Sequence, residues 1–250
     1  MASSSSSHSP SGATAMGKLI DQHPLQRLPS PSRGVSALIH VLGLASFGYS
    51  YEYLISNPNH INQAYGWHFQ YLTIIGLSLA TLTFLLGLLA DFTRSPRVFA
   101  LKNLVSMCSA PMEVLISFLY WGLRAIDPAL VVPPELELPV SADLSFHMAP
   151  SVLLLVDLLF LSPPWAITVL PAVGLSVFIA MAYWWWIELC YSYNGFYPYP
   201  LFAMLDSTQR IGLFVGSAFV MAANTMVLKW IYGKVNGFGR KAVSRPGRVN

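Results

Sequence analysis

Six long apolar runs, set apart by short polar or Pro/Gly-rich stretches, fill the middle of the chain. A helix that crosses the hydrocarbon core of a bilayer needs roughly 20 mostly apolar residues. Segments 34–55, 67–90, 98–123, 145–161, 166–191 and 211–232 meet that need, the fourth being the shortest. The connections "SNPNHINQAYG" and "DPALVVPPELELPVSAD" read as turns and irregular loop. The pattern predicts an all-α, polytopic bundle of six transmembrane helices.

Composition agrees with that pattern. Of the 250 residues 54% are hydrophobic and only 10% are charged, against about 25% charged in soluble domains. The placement of charge adds an orientation. Twelve of the 14 Lys and Arg fall on one side of the six spans, leaving only Arg124 and Arg210 on the other. Cytosolic loops carry the excess of basic residues, so both termini are expected in the cytosol. The opposite loop holds Asp127, Glu135, Glu137 and Asp143 and is mildly acidic. Residues 1–33 are Ser/Pro-rich and read as a disordered tail, 34–233 as the membrane domain and 234–250 as a basic cytosolic tail. Cys108 and Cys190 lie on different predicted helices and at different depths, so no disulfide is expected.

Polar side chains within the apolar runs narrow the chemistry, because such groups are costly in lipid and face the bundle interior. Thr73 lies about six residues into the second predicted span, roughly 9 Å deep at 1.5 Å per residue. His147 lies a few residues into the fourth, which starts from the same side. The charge count therefore brings a hydroxyl and an imidazole into one layer. Asp157 is ten residues further on, roughly 15 Å deeper, and is too far to orient His147. Glu188 and Arg210, at the same end as Thr73, are better placed to act there. Glu113 and Asp157 sit deeper, as a hydrogen-bonding or ion-pair element or as part of a proton path, and Asn224 lies deep in the sixth span. The plain alternatives stand beside these readings: a membrane threonine commonly bonds its own helix, and a membrane histidine a neighbouring one. His40, His60 and His68 lack metal-ligand spacing, and neither a cofactor nor a metal is expected. Nothing suggests nucleic acid.

Four segments, in order, resemble one family. "YGWHFQYLT" is similar to the start of the second helix in the androgen-induced-protein family. "FHMAPSVLLLVD" resembles its histidine followed by an apolar helix with a carboxylate. "NGFYPYPLF" resembles its Gly-aromatic-x-Tyr-Pro segment, and "RIGLFVGSAF" the start of its last helix. The longer Ser-rich N-terminus, Leu144 before the histidine and the Pro/Glu-rich loop before the fourth helix are departures from the family pattern.

The resemblance implies a multi-pass intramembrane hydrolase of fatty acid esters of hydroxy fatty acids. It places the nucleophile at Thr73 and the base at His147. Arg210, Glu188 and Tyr197 are the expected substrate-binding residues, with Arg210 pairing a free carboxylate of the substrate. The partner is then a lipid ester entering from the bilayer, in the endoplasmic reticulum or the plasma membrane. The rival expectation is a non-enzymatic transporter or regulatory membrane protein with Glu113, Asp157 and Asn224 along a polar path.

Overall fold

The computed structural model describes residues 33–133 and 136–236. Nearly all of the two expected tails, residues 1–32 and 237–250, lies outside the described residues. Every regular element among the described residues is helical: α1 (Arg33–Ser56), α2 (Leu72–Thr93), α3 (Pro96–Ile126), α4 (Val140–His147), α5 (Ala149–Leu161), α6 (Val169–Asn194), α7 (Pro200–Met204) and α8 (Ser207–Asn236). Three short 3-10 turns, His60–Gln63, Trp67–Gln70 and Pro128–Leu130, lie in the connections.

Four of these helices, α2, α3, α6 and α8, are long and apolar enough to span a membrane, and α4 with α5 makes a fifth span bent by 41°. Helix α1 has 24 residues, roughly 36 Å at 1.5 Å per residue. Its length suffices, but Ser36, His40, Ser50 and Glu52 dilute its apolar character. Large apolar side chains such as Leu85, Phe92, Phe178, Trp185 and Phe219 point outward. That surface suits lipid, where the helix satisfies its own backbone. The chain is a multi-pass membrane protein.

Two expected spans differ from the observed helices. The second does not begin at residue 67: Trp67–Gln70 forms a separate 3-10 turn, Tyr71 is extended, and α2 starts at Leu72. Thr73 is therefore in the first turn of its helix rather than six residues inside it. The cause lies at Gly66, whose φ of +84° only glycine adopts readily, and where a Cβ would meet Cys190 Sγ at 2.7 Å. The fourth span begins earlier, at Val140, and breaks at Met148. Pro150 has no N–H to donate to Phe146, which weakens the helix at the break, although Pro111 lies inside α3 without ending it. The last helix runs three residues past 233, to Asn236.

Helices α2 and α3 form an antiparallel hairpin whose turn puts Arg94 in the left-handed region; Ser95 then caps α3 by accepting the Val98 N–H. Glycines let the helices close up: a Cβ on Gly43 would strike the Phe84 ring, and one on Gly87 the His40 ring. Phe47, Ile74, Leu77, Phe84, Leu154 and Leu158 form the centre of the core. Helices α6 and α8 pair with each other, and α8 packs against α3.

A buried ionic network ties four helices together at the end remote from Thr73. Lys102 Nζ lies 2.6 Å from Asp157 Oδ2, and His40 Nε2 lies 3.1 Å from Asp157 Oδ1. His40 Nδ1 reaches Asp91 at 2.7 Å, Lys102 also donates to Ser162, and Ser162 to Asp157. Lys102 and Asp157 are both fully buried, and charges removed from water persist only when paired. Asp157 thus has nothing to do with Glu113. Glu113 is buried with no hydrogen-bond partner on either carboxyl oxygen among the described residues. Its carboxyl lies over Gly76 of α2, where a Cβ would come within 2.6 Å.

Candidate functional site

Thr73 and His147 line one cavity, with about 620 Å³ of unfilled space, its open side included. Their helices reach it from different directions. Thr73 is 6% exposed and His147 7%, so both face inward. The loop before α2 is pinned to α6: Trp186 Nε1 donates to Phe69 O, and Asn194 exchanges two hydrogen bonds with the Tyr65 backbone. Those contacts set where the first turn of α2 begins.

The helix break places His147. It is the last residue of α4, and Ser117 of α3 donates to its carbonyl at 2.5 Å. Ser50 of α1 holds the same helix by donating to Ser145 O. The imidazole Nδ1 lies 2.9 Å from Asp143 Oδ1, one turn back on α4. A carboxylate accepts only, so Nδ1 carries the proton and Nε2 is left as an acceptor. Tyr120 stacks on the imidazole with centroids 3.4 Å apart and planes within 4°. Arg124 donates to Tyr120 Oη at 3.1 Å and lies 3.8 Å from Asp143. Asp143, read from sequence as a loop acid, is a helical residue with a partner. Its spacing four residues before His147 was the available signal, because i and i+4 share a helix face.

Thr73 has its own neighbours. Its Oγ1 is 3.5 Å from Tyr199 Oη, and the Leu72 N–H donates to that same hydroxyl at 3.1 Å. Tyr199 precedes α7 and is half-buried beside Tyr71 and Phe202. Two residues not assigned to the site from the sequence thus complete the cavity, Tyr199 and His68, and each lies within one of the segments that resemble the family. The His68 ring is buried, and burial pushes its pKa down to about 4. It stays neutral near pH 7, with Nε2 3.2 Å from Asn62 Oδ1.

Arg210, Glu188 and Tyr197 come together, but elsewhere. Arg210 Nε lies 3.7 Å from Glu188, Tyr197 donates to Glu188 at 3.0 Å, and the guanidinium sits 5.1 Å above the Tyr197 ring. Burial and the Glu188 carboxylate push the Tyr197 hydroxyl up to about 12, so it remains a donor. None of the three lines the cavity that Thr73 and His147 share. Arg210 also donates to the carbonyl of Phe202, which lines a second, larger cavity. That second cavity holds about 920 Å³ of unfilled space, its open side included, and meets the first at Thr73, Tyr120, Val131 and Tyr199. Asn224 lines neither.

Three comparisons with known proteins bear on this geometry. The family model described as FAR-17a/AIG1-like protein matches residues 35–233. A UPF0641 membrane protein of Schizosaccharomyces pombe is 32% identical over 206 residues, which is 81% of this chain and 92% of that protein. No solved structure matches. The matched region takes in both cavities and every membrane helix apart from the first two residues of α1 and the last three of α8, and the chain belongs to the FAR-17a/AIG1-like family of membrane proteins.

Proposed function

We propose that the protein is an intramembrane lipid esterase in which Thr73 is the nucleophile and His147 the general base. The observation that carries the reading is the shared cavity, with the His147 Nδ1 engaged by a buried carboxylate and Nε2 left as an acceptor. A threonine hydroxyl is a weak nucleophile and needs a base to take its proton as it attacks. Thr73 supplies Oγ to the ester carbonyl carbon while its proton passes to His147 Nε2. The carbonyl electron pair moves onto oxygen. As the tetrahedral species collapses, the ester C–O bond breaks and the departing alkoxide takes the proton from His147. Water then repeats the sequence on the acyl-threonine, which releases a free acid.

Asp143 holds the imidazole in the productive tautomer and stabilises the imidazolium that forms, as the third member of hydrolase triads does. The oxyanion needs donors aimed at it. The Tyr199 hydroxyl accepts from Leu72 N–H at the positive end of a 22-residue helix and keeps its own hydrogen to donate beside Thr73. We assign it that role. Arg210 is held by Glu188 and Tyr197 outside the smaller cavity, so we do not assign it a carboxylate of the substrate; esters of hydroxy fatty acids are the substrate class that the family resemblance implies. In the bilayer we place α1 as a sixth span, with both termini in the cytosol.

The experiment is labelling of membranes with a fluorophosphonate hydrolase probe together with turnover of a long-chain ester. Thr73→Ala and His147→Ala are expected to abolish both signals at normal protein abundance. Wild-type labelling or turnover in either variant rejects the assignment.

A further inference from the structure

The two cavities that meet at Thr73 differ in kind, and that difference orients the ester. The smaller holds His147, His68 and Asn59. The larger runs between α3, α6 and α8 and is walled chiefly by aliphatic side chains and Phe, with Met112, Ser176 and Met221 among its lining residues. Their positions along the helices show which way it extends. Tyr120, which lines both cavities, is near the end of α3, and Met112 is eight residues earlier. Ser176 is seven residues into α6, and Met221 is fourteen into α8, which run in opposite directions. All three therefore lie toward the middle of the bundle, away from Thr73.

We propose that the acyl chain transferred to Thr73 lies down this apolar cavity, parallel to the helices, and that the alcohol portion of the ester occupies the smaller cavity beside His147. The inference rests on the esterase reading and extends it. The leaving alkoxide must take a proton from His147, and water must then enter where it left, so the departing half belongs on the polar side. The acyl half stays bound through that exchange and gains from apolar walls. Tyr120 to Met112 spans eight residues of helix, roughly 12 Å. An extended chain advances about 1.2 Å per bond, as the 3.3–3.6 Å per three-bond residue of extended polypeptide shows. The cavity therefore holds about ten carbons of a straight acyl chain before it reaches the level of Met112, Ser176 and Met221. A branched alcohol, whose bulk lies next to the ester oxygen, is tolerated because it never enters that space.

The test uses the full-length protein in detergent with two ester series, one varying the acyl chain from four to sixteen carbons and one varying the alcohol. Ser176→Leu is expected to lower kcat/KM at least tenfold for acyl chains beyond about ten carbons and to leave four-carbon esters within threefold of wild type. Met221→Ala, which removes volume at the same level, is expected to move the optimum to longer acyl chains. Neither is expected to change the alcohol series. The same acyl-length profile as wild type in both variants overturns the proposal, and so does an effect on the alcohol series instead. Should Ser176→Leu fail to fold, Met221→Ala decides alone, because an unchanged acyl profile in it is sufficient to overturn. Failure of the esterase reading is distinguishable: Thr73→Ala would then turn over every ester at the wild-type rate.

Discussion

Replacing Lys102 by Met removes the one lysine from the network at the far end of the bundle. Its Nζ is fully buried 2.6 Å from Asp157, whose carboxylate is fully buried too. Breaking a buried pair from one side costs about 3–5 kcal/mol, because the remaining charge stays out of water. Asp157 would keep two partners, His40 Nε2 at 3.1 Å and the Ser162 hydroxyl at 3.1 Å. Those place the expected loss at the lower end, about 3 kcal/mol. The double variant Lys102→Met with Asp157→Asn leaves no orphan charge, and the amide keeps a similar shape. It gives up a small number of hydrogen bonds, each about 1 kcal/mol. The double variant is therefore expected to be more stable than the single one, at a loss of about 1–2 kcal/mol. The assay is reversible unfolding in mixed micelles of rising SDS fraction, followed by tryptophan fluorescence and circular dichroism. A loss below about 1 kcal/mol for Lys102→Met, or a double variant as unstable as the single one, would refute the claim that pairing offsets the burial of these charges.

Two further outcomes follow from the other end of the bundle. Asp143→Asn is expected to lower kcat by at least a hundredfold, since an amide can donate to Nδ1 and so put the proton on Nε2; the equivalent change in a serine protease costs about 10⁴. Steady-state kinetics check this, and a rate within threefold of wild type would contradict the triad geometry. The His68 pKa is depressed to about 4 by burial, against about 6.5 unfolded. The unfolded state therefore binds the extra proton between these values, so His68 contributes stability that is complete above about pH 6.5 and falls away as pH drops toward 4. Melting in detergent at pH 7.5 and pH 5 should show a smaller drop for His68→Gln than for wild type, and equal drops would refute it.

Much of the architecture was legible in the order of residues. Apolar runs the length of a bilayer are a strong signal because lipid leaves the backbone no partner but itself, and α3, α6 and α8 begin and end within four residues of the runs that predicted them. The family was legible too, in four short motifs that lie within the matched region. The two helix breaks were harder to read. Pro150 and Gly66 stand in the sequence, but whether a proline bends a span or merely starts a helix depends on what packs beside it. Here Ser117 meets the carbonyl of His147, and Cys190 leaves no room for a side chain at Gly66.

What the chain alone determined is which segments are helical and apolar, and that Thr73 and His147 are polar groups in apolar surroundings. What only the tertiary structure decided is partnership. Asp157 was too deep for the histidine ten residues before it and open to a pairing with Glu113, and the packing gave it to Lys102 and His40. Asp143 became the partner of His147 only because α4 extends back past the predicted start of its span. Tyr199, 126 positions further along the chain, reached Thr73. Local spacing encodes contacts within a helix through a fixed rise and turn. Contacts between helices depend on rotation and depth, which small side chains and unpaired charges settle only once all the helices are packed.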